Sequence, residues 1–182
     1  LQPLEVLWGV LLIIFALVGI VRGFLKELGV TTVLLVLLFG LSRLEDKIPQ
    51  ILTTAVAAVG YAVPEAPDPR GQLIWASFYI LLIVFVTLIS YHGETLAFAG
   101  KPPKGPKGIL FGLVAGLLNG YLVSGSIWYF LDKYDYPIKL LYLFQEPLTD
   151  FARSLVPLLP LTLLRPFLPF LVVFMVIVRV IR

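Results

Sequence analysis

Three groups of residues in this chain have the type and spacing to do chemistry. The first is ionic. Arg22, Lys26 and Glu27 sit where one long apolar run gives way to the next, and His92 and Glu94 follow the end of a third. If those runs cross a membrane, the five residues share one interface. Pairing between them would tie the third run to the first two. His92 has ligation of a pigment or haem as its alternative role. The second group is a single amide, Asn119, halfway along a fourth apolar run. Such an amide seeks a partner across a helix interface, worth roughly 0.6–2 kcal/mol. It reads as interhelical glue, with a substrate contact as the alternative, and Ser124 and Ser126 extend the same theme. The third group is Gly108, Gly112, Gly116 and Gly120, spaced every fourth residue. Lipid supplies little hydrophobic force between helices, so close backbone approach has to supply the packing. Gly19-x-x-x-Gly23 is the natural partner stripe, and the pattern reads as packing within one chain, with homodimerisation as the alternative.

Several chemistries are excluded. There is no cysteine and only one histidine, so a single chain cannot form disulfides, thiolate metal sites or a histidine-cluster metal site. No Gly-rich phosphate loop, G-x-S-x-G elbow or paired intramembrane carboxylates occur. No Asp, Glu, Lys or Arg falls near the middle of the first four apolar runs, which disfavours an ion-coupled transporter. The expectation is a protein without catalysis, cofactor or nucleic-acid partner. Its partners are the bilayer and either other membrane subunits or further copies of itself.

The elements that position these residues follow from composition. Of 182 residues, 59% are hydrophobic and 14% charged, with a mean hydropathy of +0.99. Soluble domains carry about 25% charged residues. The fold class expected is an all-α integral membrane protein. At about 20 residues per crossing, the runs 4–21, 24–44, 73–91 and 109–131 are four transmembrane helices. No basic segment precedes the first and no small-residue cleavage site follows it, so a retained helix is expected rather than a signal peptide. The break at Arg22-Gly23 makes the first two an antiparallel hairpin. Residues 51–63 suggest a short surface helix, and the Pro-rich segment 66–70 a turn. In the Lys101–Lys107 loop (KPPKGPKG continues it to Gly108), prolines and lysines exclude helix and lipid alike. That loop reads as a topology anchor, with contact to anionic headgroups as its alternative role.

Residues 1–132 form the four-helix domain; 133–182 differ in pattern. From Ile138 to Val156, apolar Leu141, Phe144, Leu148, Phe151 and Leu155 fall opposite Lys139, Glu146, Asp150 and Arg153. The spacing predicts an interfacial amphipathic helix, or one packed on another subunit. Pro166–Val178, bounded by Arg165 and Arg179, suggests a short fifth membrane helix with a tilted, extended entry, or a re-entrant tail.

Charge sets the expected orientation. One face would carry Arg22, Lys26, Lys101, Lys104, Lys107, Arg179 and Arg182 against Glu27 and Glu94. The other would carry seven basic residues against nine acidic ones, spread over longer segments. Trp8, Trp75, Trp128, Tyr129, Tyr134 and Tyr136 gather at that second face as an expected aromatic belt. The reading is N-terminus outside and the Lys101–Lys107 loop cytoplasmic.

Gly19-x-x-Arg22-Gly23-x-x-x-Glu27 resembles the G-x-x-R-G-x-x-x-E signature of the colicin V production protein (CvpA) family. Gly112-x-x-x-Gly116-x-x-x-Gly120, continuing through YLVSGSIWYFLD, is similar to that family's fourth helix. The resemblance covers about residues 4–132. Glu5 stands where family members often have Asp, and Asn119 where many have Arg; the tail from Pro166 is not typical. The resemblance implies a bacterial inner-membrane scaffold or accessory protein linked to colicin export and envelope homeostasis, without established catalysis. An accessory subunit of a larger respiratory or photosynthetic complex is the alternative.

Overall fold

A computed structural model of the protein describes residues 3–64, 68–92, 98–137 and 148–180, and the regular elements among them are all helical. They are α1 (Leu4–Arg22), α2 (Phe24–Leu44), α3 (Lys47–Ala57), α4 (Pro69–His92), α5 (Gly105–Lys133), α6 (Asp150–Leu155), α7 (Pro160–Leu163) and α8 (Leu168–Val180). Four of these, α1, α2, α4 and α5, are long and apolar enough to cross a membrane. Within such helices every backbone group is satisfied internally, which is what a hydrocarbon solvent requires.

Local chemistry sets the boundaries. α1 stops at Gly23, whose φ of 88° suits glycine, and the Gly23 N–H donates to the Gly19 carbonyl at 3.0 Å. With one residue between them, α1 and α2 must run back on each other. α5 begins earlier than the sequence suggested, at Gly105, so Pro106, Lys107 and Gly108 are helical and do not belong to the loop. Proline lacks only an N–H that the first helical turn leaves unpaired anyway. Pro69 opens α4 in the same way, where the sequence suggested only a turn.

α5 is the central element, packed against α1, α2, α4 and α7. α2 sits between α5, α4 and α8 and buries Val30, Leu34, Leu38 and Leu41. α1 leans chiefly on α5 and leaves Val10, Ile13, Ile14 and Leu17 exposed, a face suited to lipid. Of the aromatic residues expected as a belt, Trp8, Tyr129 and Tyr136 are partly exposed and the other three belong to the core. Trp75, Trp128 and Tyr134 are buried, and Tyr79 stacks on Phe130 with centroids 4.3 Å apart. The faces of α4 and α5 that carry them turn toward other helices, so their rings fill the interior.

The C-terminal part departs from expectation. Residues 138–147 of the expected amphipathic helix lie outside the described residues. Beyond them, the Thr149 hydroxyl caps α6 by accepting from the Ala152 N–H at 3.0 Å. Ala152 is buried with Leu4, Trp128 and Leu159, whereas Phe151 of the expected apolar stripe is exposed. The entry to α8 is coiled rather than extended: a 3-10 turn over Val156–Leu158, then α7, then a turn through Arg165. Pro157 and Pro160 fall in the first turns of these short helices and start them. α8 has 13 residues, about 20 Å at 1.5 Å per residue. That falls short of the roughly 30 Å hydrocarbon layer. It lies on α2 with Leu168 and Met175 buried.

Candidate functional site

The break at Gly23 brings the last residue of α1 beside the first turn of α2. Arg22 Nη1 donates to Glu27 Oε1 at 2.9 Å. Glu27 is 0% exposed, which in an apolar interior is tolerable only if the carboxylate is paired and hydrogen-bonded. Both conditions are met. Its Oε2 accepts from the Tyr91 hydroxyl at 2.9 Å and from Asn119 Nδ2 at 2.8 Å. The same Asn119 nitrogen lies 3.1 Å from the Glu27 carbonyl oxygen. Thr31 Oγ1 is 2.7 Å from Asn119 Oδ1 and 2.9 Å from the Glu27 carbonyl oxygen, and its single proton serves one of the two. Arg22 also donates to the Tyr91 carbonyl at 3.3 Å and lies over the Tyr91 ring, 4.5 Å from its centroid. The early position of Glu27 in α2 suits the positive end of the helix dipole. One cluster thereby joins α1, α2, α4 and α5.

Of the residues singled out in the sequence, Arg22, Glu27 and Asn119 meet. His92 does not join them: it is exposed, and its neighbour Tyr91 supplies the contact from α4. Successive helical residues point about 100° apart, so only one of the two can face the bundle. Glu94 lies outside the described residues, and Lys26 is partly buried on the same turn as Glu27. Asn119 is a partner to a charged group as well as a neutral bond between helices.

The glycines divide. A Cβ added at Gly19 would lie 2.7 Å from the Gly116 Cα, and one at Gly112 would lie 2.5 Å from the Gly19 carbonyl oxygen. One at Gly120 would lie 2.8 Å from the Phe15 Cβ. Gly19 of α1 therefore meets Gly112 and Gly116 of α5 backbone against backbone, and Gly120 receives the Phe15 side chain of α1. Gly23 has open space around it, and Gly108 faces the Pro103 carbonyl of the loop before α5, so neither belongs to that contact. Because α1 covers Gly112, Gly116 and Gly120, they offer no face to a second copy. Gly125, not singled out in the sequence, receives Pro160, the first residue of α7.

A second buried carboxylate closes the opposite end. Glu45 caps the C-terminus of α2 and is 2% exposed. A negative charge there opposes the helix dipole and calls for cations. Arg165 donates to Glu45 Oε1, as does the Tyr129 hydroxyl at 3.1 Å, and Arg165 also reaches the Tyr129 oxygen at 2.9 Å. Lys133 Nζ stands 3.5 Å from Glu45 Oε2, an ion pair beyond good hydrogen-bond geometry, and 2.8 Å from Asp46 Oδ1. The Tyr79 hydroxyl donates to the Glu45 carbonyl at 2.6 Å. The hydrogen bond from Lys133 holds the Asp46 carboxyl below its usual range. Burial opposes the charge of Arg165 most strongly, but the hydrogen bond to Glu45 together with the charges of Glu45, Tyr129 and Asp46 outweighs it and raises the guanidinium further. Burial pushes Tyr134 up to about 12 and raises Tyr136, whose hydroxyl accepts from Trp128 and donates to Asp132. The burial of Glu45 has no local signal in the sequence, because its partners lie 84 and 120 positions away.

Comparison with family models, with curated proteins and with solved structures finds no match for this chain.

Both clusters act across helix interfaces. Among the described residues no group of three or more His, Cys, Asp or Glu side chains could hold a metal ion. The Glu27 cluster fixes the four long helices relative to one another. The Glu45 cluster fastens the C-terminal segment to them. Arg165→Ala is therefore expected to free α7 and α8 while the bundle stays folded. Limited proteolysis in mild detergent should then cut the segment after residue 148 several times faster than in the parent; unchanged cutting would show that Arg165 fastens nothing.

Proposed function

We propose that this chain is a CvpA-type scaffold or accessory protein of the bacterial inner membrane, acting in envelope maintenance or export and without catalysis. One observation carries the reading: Arg22 and Glu27, two residues of the signature it resembles, form a partly buried pair that engages α4 and α5 as well. The other signature positions have physical tasks too. Gly19 admits α5, and Gly23 makes the left-handed turn between α1 and α2. Four apolar helices support a multi-pass arrangement. The orientation proposed is N-terminus outside and the Lys101–Lys107 loop in the cytoplasm. Single cysteines at Lys104 and Asp68 test it, since the chain has no native cysteine. An impermeant thiol reagent added to intact cells should label the Asp68→Cys protein only.

A second reading, an accessory subunit of a larger respiratory or photosynthetic complex, is favoured by the exposed apolar faces of α1 and α8, such as Leu17, Phe170 and Phe174. Purification from the native membrane in mild detergent, followed by mass spectrometry, separates the two. A lone protein or homo-oligomer supports the first; stoichiometric enzyme subunits with cofactor absorbance support the second.

A further inference from the structure

We propose that the projecting N-terminal end of α5, with the loop before it, is a binding surface for anionic phospholipid headgroups, an inference that rests on the membrane reading above. α5 has 29 residues and α1 has 19. The glycine contact sets their register, with Gly19 near the end of α1 lying against Gly112 and Gly116. That register carries the first turn of α5 past the end of α1. Lys101, Lys104 and Lys107 are all exposed there. None of them makes an ion pair with a described carboxylate. The next turn of α5 exposes Ile109, Leu110 and Phe111. Along this one segment, therefore, a lysine layer gives way directly to an apolar layer, matching the step from headgroup to hydrocarbon.

The lysines do nothing evident for the fold. Cations at the N-terminus of a helix oppose its dipole, so α5 gains no stability from Lys104 and Lys107. A layer of phosphate esters attracts both the lysines and the positive helix end. Three exposed ammonium groups suit exchangeable lipid headgroups, which are recognised by charge rather than by shape.

The test uses the full chain reconstituted in bilayers of mixed phosphatidylglycerol and phosphatidylcholine, with spin-labelled lipid of each kind as probe. Electron paramagnetic resonance gives the motionally restricted fraction of each, and their ratio gives the selectivity. The parent is expected to prefer phosphatidylglycerol by about fivefold, the factor expected for a single basic residue near the surface. The variant K101Q/K104Q/K107Q, changed only at exposed positions, should bring the ratio close to unity, and raising the salt should do the same to the parent. Equal restriction of both lipids in the parent would overturn the inference, as would a preference that survives the triple substitution. Failure of the parent to enter bilayers at all would overturn the membrane reading and this inference with it.

Discussion

Glu27→Ala is expected to destabilise the bundle by about 3–5 kcal/mol, the range for removing one partner of a buried ion pair. The substitution leaves Arg22 without its carboxylate, and it strands the Tyr91 hydroxyl and the Asn119 amide in a closed interior. Arg22 is 19% exposed and can swing its head toward the headgroups, which puts the loss toward the lower end of that range. The measurement is the temperature at which the monodisperse gel-filtration peak in mild detergent is lost. A paired replacement, Arg22→Met with Glu27→Leu, removes both charges and should recover part of the loss, because no uncompensated charge remains. If Glu27→Ala is as stable as the parent, the cluster does not hold the helices together. If the paired replacement is worse than either single change, the losses come from packing and not from an unpaired charge.

Gly116→Ile is expected to be at least as damaging, for a steric reason. A Cβ at this position would meet the Phe15 carbonyl oxygen, and it would come within 3.0 Å of the Gly19 Cα and 3.1 Å of the Ala16 Cα. All three are backbone atoms, which cannot rotate away. α1 would have to lift off α5, and α5 is its main neighbour. Overpacking in a close-packed core costs about 1–3 kcal/mol and sometimes more; a branched side chain against backbone belongs at the upper end. Gly40 provides the contrast, since a Cβ there meets nothing within 4 Å. Gly40→Ala should therefore be neutral or stabilise by up to about 1 kcal/mol through its better helix propensity. The same thermal gel-filtration assay reads both variants. Equal behaviour of the two would remove the claim that α1 is seated by backbone contact on α5.

Both predictions depend on residues whose identity was visible in the sequence, while their full sets of partners were not. Arg22 and Glu27 were legible as members of an interfacial charge group, but the expected pairing was with His92 and Glu94, and the structure pairs them with each other. Tyr91 was passed over for His92, because a histidine beside a glutamate suggests chemistry and a tyrosine in an apolar run suggests packing. Only the rotation of α4 decides which of these neighbours faces inward. The glycine stripe was legible from its four-residue spacing, but its limits were not. Gly108 and Gly23 fit the pattern and lie outside the contact, while Gly125 serves Pro160 without fitting any pattern.

By itself the sequence determined the four apolar helices, the tight hairpin between the first two and the small-residue face of α5. Each is a local or periodic property: enough consecutive apolar residues, a glycine where the chain must turn, a repeat matched to the helical pitch. The tertiary structure alone decided which polar groups are buried together. Glu27 looks like an interfacial charge and Glu45 like a loop residue until α4, α5 and the C-terminal segment fold over them. The free energy of a buried charge depends on neighbours brought from distant parts of the chain, and one-dimensional spacing carries no record of them.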